Sequence, residues 1–105
     1  MSDALDRLYA TIASRKGSDP SQSYTAKLLA AGVEKCAKKF GEEATETVIA
    51  AIQKDKTELA KESADVLYHL LVLWAASGIT PEEVYAVLKS REAMSGLEEK
   101  ASRKS

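Results

Sequence analysis

Residues 41–70 read GEEATETVIAAIQKDKTELAKESADVLYHL, and this stretch decides the fold. Two segments rich in apolar residues flank the polar run Lys54-Asp55-Lys56. Asp55 followed three residues later by Glu58 has the form of a capping box, in which a side-chain oxygen takes up a free N–H at a helix start. The run therefore reads as a turn between two helices. Each helix carries an acidic doublet at three-residue spacing, Glu43 with Glu46 and Glu62 with Asp65. Three helical residues amount to about 300° of rotation and ~4.5 Å of rise, so both members of a doublet project from one face. Folding the helices back about Asp55 levels residues whose numbers sum to about 110, and the doublets miss that register by only ~3 Å of rise. Four carboxylates are thus expected to converge.

Outward from this hairpin the chain continues as helices. Leu5, Leu8, Tyr9 and Ile12 stand at i, i+3, i+4 and i+7, one apolar stripe of a first helix that ends near Lys16-Gly17. The segment GSDPSQS reads as a linker, after which either Asp19, with Pro20 in the first turn, or Ser23 offers a capping oxygen. A long helical pattern runs from about Tyr24 to Gln53, interrupted by Gly32 and Gly41, with a bend or break expected near Gly41. The third helix reaches about Ser77 with Leu59, Leu67, Leu70, Leu71 and Trp74 on a broad apolar face, and Gly78 stops it. Thr80-Pro81-Glu82-Glu83 opens a fourth, whose stripe is Val84, Val87 and Leu88. SGLEEKASRKS, residues 95–105, is a charged tail. With 5 Gly, 2 Pro and no period-2 alternation of β-branched residues, strands have no support. The expected architecture is all-α, a single domain over residues 1–105 with four helices built on a long antiparallel hairpin.

Composition narrows the function classes. Lys plus Arg number 15 against 16 for Asp plus Glu, a net charge of -1, so there is no bulk attraction for nucleic acid or an anionic membrane. The single cysteine, Cys36, the lack of an apolar secretory stretch at the start and the lack of a membrane-length apolar run point to a soluble cytoplasmic protein. A chain of 105 residues buries a modest core, which an oligomer would enlarge.

Two readings fit the acids. Lys38, Lys39 and Lys61 stand near them, so they can form a solvated face with ion pairs at helical spacing. Alternatively, four carboxylates beside Val48, Ile49, Ile52, Leu59 and Leu67 on the helix seam need a counter-charge. A hard divalent cation with oxygen ligands, Mg²⁺ first among them, supplies it. A di-iron site is poorly matched, because the only histidine, His69, follows Asp65 by four residues and not by three. His69 reads either as a hydrogen-bonded structural histidine or as a substrate contact. Trp74 and Phe40 read as core, and Cys36 as a small buried side chain.

Three blocks shift the balance between these readings: SYTAKLLAAG (23–32), KKFGEEATETVIAA (38–51) and ESADVLYHLLVLWA (62–75). In this order and at these spacings the chain resembles the phosphoribosyl-ATP pyrophosphatase family, within the MazG-like all-α nucleotide pyrophosphohydrolase superfamily, over nearly its whole length. Phe40 departs from the smaller aliphatic residue expected there, which touches packing before the acids. The resemblance implies Mg²⁺-dependent hydrolysis of phosphoribosyl-ATP to phosphoribosyl-AMP and pyrophosphate, the second step of histidine biosynthesis. It makes Glu43, Glu46, Glu62 and Asp65 the metal ligands, and Glu42 a further ligand or the group that orients water. It places Ser23, Tyr24, Thr25 and Lys27 near a small-molecule nucleotide substrate, and implies a four-helix bundle completed in a homodimer or larger even assembly. A housecleaning nucleoside triphosphate pyrophosphohydrolase and a non-catalytic helical interaction module are the alternatives. Because the carboxylates outweigh the charge that two Mg²⁺ return, phosphate needs further cations. Lys39 and Lys35 lie four and eight residues before Glu43 on one face, with Lys38 offset by about 100°, so Lys39 is expected to support substrate binding by its charge.

Overall fold

The computed structural model describes residues 3–92, which form five helices: α1 (Asp3–Ser14), α2 (Tyr24–Ala31), α3 (Val33–Ile52), α4 (Lys56–Ser77) and α5 (Pro81–Ser90). The described residues contain no strand, so the chain is all-α as its composition predicts. The tail 95–105 lies outside the described residues.

The helix ends follow local chemistry. Lys54 takes φ 60°, and with Asp55 N–H donating to Ala50 and Lys54 N–H to Ala51 it closes a Schellman turn after α3. Asp55 then caps α4, accepting from Glu58 N–H at 3.0 Å. Gly78, left-handed at φ 78°, repeats the Schellman pattern at the far end, with Ile79 N–H donating to Trp74. Thr80 caps α5 through Glu83 N–H, with Pro81 in the first turn. Ser23, and not Asp19, caps α2. Asp19 instead holds the linker by accepting from the backbone and hydroxyl of Ser21.

The long second helix of the sequence reading is two helices. The break falls at Gly32, whose φ 99° and ψ 173° lie in a region that a Cβ all but forbids, while Gly41 continues α3 without interruption. A lone glycine inside a helix costs about 1 kcal/mol without stopping it, whereas a residue that must leave helical space ends it. Replacing Gly32 with Ala should therefore destabilise the protein by ~1–3 kcal/mol. Gly41→Ala should stabilise it by up to ~1 kcal/mol, since a Cβ there meets nothing within 4 Å. Urea unfolding of both variants checks the pair, and the opposite order would contradict this placement of the break.

Helices α3 and α4 form the most extensive contact and run back along each other, with α1 and α2 packed on them. The core is Ile12, Leu28, Cys36, Leu71, Val72 and Ala75, with Leu5, Leu8, Tyr9 and Trp74 against it. Cys36 donates its S–H to Leu28 O, and burial pushes its thiol pKa up, so it behaves as a small apolar side chain. Two tyrosines tie α1 to the α4–α5 turn and to α5: Tyr9 Oη donates to Ile79 O and Tyr85 Oη to Asp6, both at 3.0 Å. Phe40, predicted as core, is only half-buried.

The seam prediction for α3 needs correction. Val48, Ile49 and Ile52 are 55%, 48% and 73% exposed, and Leu67 on α4 is 43% exposed. The buried residues of α3 are Cys36 and Ala50 instead. The single chain thus leaves an apolar face on the hairpin uncovered, and Val87 and Leu88 of α5 are likewise half-exposed.

Candidate active site

Three of the four predicted ligands meet on this hairpin. One carboxylate oxygen from each of Glu43, Glu62 and Asp65 lies within 4.8 Å of the others. Glu43 comes from the middle of α3 and the other two from one face of α4, the arrangement that the three-residue spacing dictates. Glu43 Oε2 and Glu62 Oε1 are buried without a hydrogen-bond partner. Buried carboxylate oxygens without partners are costly, and a cation among them removes the cost.

Glu46 stands on the other side of Glu62. It is exposed, and with Glu58 and Glu62 it lines a groove of about 200 Å³ that also includes Ile49, Ala50 and Gln53. Although Glu46 shares the i, i+3 spacing that keeps Glu62 and Asp65 together, its carboxylate is not among the three that meet. Its charge still reaches Glu62. The Glu62 pKa is raised to about 7, first by a hydrogen bond shared with Glu58, then by burial, then by repulsion from Glu46 and Glu43.

Glu58 is the acid that the sequence reading missed. Its backbone role in the cap concealed its side-chain role, although Glu58 and Glu62 stand at i, i+4, the spacing that puts two side chains in contact.

Glu42 is exposed and ion-paired with Lys39 at 3.1 Å. That bond and the lysine charge hold the Glu42 pKa below the usual carboxylate value and raise that of Lys39, so both are charged at neutral pH. Lys61 lies 4.0 Å from Glu58. Glu42 thus sits in a solvated ion pair, whereas Glu43 and Glu62 are partly buried.

His69 is 5% exposed, with Nε2 at 3.9 Å from Glu43 Oε1, too long for a hydrogen bond. Burial lowers its pKa against the opposing pull of Glu43, so the imidazole is neutral at pH 7. Tyr24 and Tyr68 meet its ring edge-on at 6.2 and 5.0 Å. His69 thus stands behind Glu43 and offers no open face to a ligand.

Of the block ahead of α2, Ser23 is occupied in the cap, and Thr25 is hydrogen-bonded to Tyr68 Oη, a partner that sequence reasoning did not single out. Tyr24 and Lys27 face outward into a cleft of about 220 Å³ shared with Leu28, Ala31, Lys35 and Lys39. The cleft adjoins the acids, since Lys39 holds Glu42 and Tyr24 touches the histidine behind Glu43.

An acidic cluster on a helix hairpin beside a lysine-lined cleft suits a metal-assisted attack on a polyphosphate. Comparison with known proteins identifies the family. The sequence profile of the phosphoribosyl-ATP pyrophosphohydrolase family matches residues 5–92. The chain is 61% identical over 99 residues to the phosphoribosyl-ATP pyrophosphatase of Cereibacter sphaeroides, covering 94% of this chain and 96% of that protein. It is 60% identical over 102 residues to that of Paramagnetospirillum magneticum, covering 97% and 94%. With the Parvibaculum lavamentivorans protein of the same name, identity is 62% over 99 residues, covering 94% and 91%. At this identity and coverage, with the acidic doublets, the hairpin and the cleft all inside the matched residues, the chain belongs to the phosphoribosyl-ATP pyrophosphohydrolase family.

Proposed function

We propose that the protein hydrolyses phosphoribosyl-ATP to phosphoribosyl-AMP and pyrophosphate, the second step of histidine biosynthesis, with Mg²⁺ held by Glu43, Glu46, Glu62 and Asp65. The observation that carries the metal assignment is the pair of buried, unpartnered oxygens of Glu43 and Glu62 aligned with Asp65. An all-oxygen, all-carboxylate donor set is hard, and it suits Mg²⁺ over the softer transition metals. Bound there, Mg²⁺ would neutralise the acids and the polyphosphate and polarise the anhydride for attack.

The chain's own residues do the rest. Glu42, ionised and ion-paired with Lys39, would orient the attacking water and accept its proton. Water adds to phosphorus, its proton passes to a carboxylate, and pyrophosphate leaves. A cation held there would favour the ionised form of Glu62, whose pKa is raised to about 7 without one. His69, 3.9 Å from Glu43, supports that carboxylate from within the fold, the structural one of its two readings.

Lys39 meets the phosphates by charge alone. It is half-buried beside Glu42, whereas Lys38 is exposed. Lys39→Met should raise KM for phosphoribosyl-ATP roughly 3- to 10-fold with the Mg²⁺ requirement unchanged, and Lys38→Met should do much less. Equal, negligible effects at both would remove Lys39 from the site.

A second copy of the chain completes the bundle by covering Val48, Ile49, Ile52 and Leu67, as in the MazG-like arrangement. Residues 1–105 act as one domain in the cytoplasm. No single helix among the described residues is long and apolar enough to cross a membrane.

A panel comparing phosphoribosyl-ATP with deoxynucleoside triphosphates tests the substrate. A preference of at least about 100-fold in kcat/KM for phosphoribosyl-ATP is expected. Equal turnover of the whole panel would favour a housecleaning hydrolase, and no turnover of any would leave a non-catalytic module.

A further inference from the structure

The cleft between α2 and α3 has more positive charge than the cleaved bond calls for. Its lining is Tyr24, Lys27, Leu28, Ala31, Lys35 and Lys39, three lysines with no carboxylate among them. Lys39, ion-paired with Glu42, is already assigned to the cleaved phosphates, whereas among the described residues neither Lys27 nor Lys35 has an ion pair or a side-chain hydrogen bond, although the Lys35 charge reaches Glu42. Lys27 on α2 and Lys35 on α3 thus line one cleft, which an anion could enter and pair with both.

Position says which anion. Lys35 precedes Glu43 by eight residues on the same face of α3, about 12 Å of helix rise from the metal ligands. Lys27 faces it from α2 across the apolar floor of Leu28 and Ala31. The β- and γ-phosphates are joined to the cleaved bond through bridging oxygens and stay beside the carboxylates. The group of phosphoribosyl-ATP that sits far from that bond is the phosphate monoester on its second ribose, carried on the opposite edge of the adenine ring. Tyr24, 52% exposed, lines the same cleft and meets the His69 ring behind Glu43, so that its own ring could stack on the base.

We infer that Lys27 and Lys35 form a subsite for the phosphate monoester of the second ribose, and that this subsite distinguishes phosphoribosyl-ATP from ATP. The inference rests on the substrate reading above. It assigns the discrimination to a charge-assisted contact remote from the chemistry, which contributes binding energy without touching the reacting atoms.

The test compares phosphoribosyl-ATP with ribosyl-ATP, the same molecule lacking that one phosphate, as substrates of the wild type, Lys27→Met and Lys35→Met at saturating Mg²⁺. Methionine keeps the stem and removes the charge. The wild type should prefer phosphoribosyl-ATP, and each substitution should reduce the preference ratio in kcat/KM about 10- to 100-fold, mostly through KM. Substitutions that slow both substrates equally would place these lysines on the triphosphate and overturn the subsite. Substitutions that change neither would overturn it as well. A wild type that turns over neither substrate would instead sink the substrate reading, which separates the two failures.

Discussion

Glu62→Gln is expected to lower turnover by more than about 100-fold, because loss of a direct ligand should exceed the 10- to 100-fold cost of losing a group that only supports one. Asp65→Asn and Glu46→Ala should behave alike, and the helical fold should survive all three. Glu62 is the most informative of these. It lies between Glu43 and Asp65 on one side and Glu46 and Glu58 on the other, and its pKa is raised to about 7. A carboxyl whose pKa rises on folding binds its proton more tightly in the folded state. The stability this gives the metal-free protein is full below the ordinary value of 4.5 and is lost as the pH rises through about 7. Glutamine removes that loss. At pH 8 without metal, Glu62→Gln should therefore melt above the wild type, while Mg²⁺ should stabilise the wild type and not the variant. A variant with near-normal activity at saturating Mg²⁺, or one that melts lower at pH 8, would count against the ligand assignment.

Ile52→Asp is expected to break the protein into single chains. Ile52 is 73% exposed in one chain and stands with Val48 and Ile49 on a continuous face of α3. Burying an isoleucine against a partner is worth about 1.5–3 kcal/mol, and a charge in its place adds a desolvation cost on both sides of a two-fold interface. Sedimentation of the wild type at micromolar concentration should show a dimer or a larger even assembly, and Ile52→Asp an 11.3 kDa species. A wild type sedimenting at that mass would contradict a shared face. The same face borders the acids through Ile49 and Glu46, so dissociation should lower activity too.

Much of this was legible in the sequence because its signals are local. Asp55 with Glu58, Thr80 with Pro81, and Gly78 each set a helix end by bonds within a few residues, and the structure has all three as read. The doublets at Glu43 and at Glu62 with Asp65 could be brought together because one turn separates their helices. What failed depended on backbone geometry or on neighbours distant in sequence. Gly32 and Gly41 look alike as letters, and only the path of α2 across α3 requires one of them to leave helical space. Ile49 and Ile52 read as seam because apolar periodicity marks a face for burial without saying whether the same chain or another buries it. Glu58 carried a cap signal strong enough to hide its contact with Glu62. Tyr68 became relevant only when folding set it beside Thr25.

The most direct test of the carboxylate site is a crystal structure of the protein grown with Mn²⁺ in place of Mg²⁺, with anomalous scattering used to find the ion. The expected result is a peak among Glu43, Glu62 and Asp65, with carboxylate oxygens at roughly the 2.1 Å typical of such ions and Glu46 turned toward it. Strong peaks elsewhere with none between these three side chains would contradict the account.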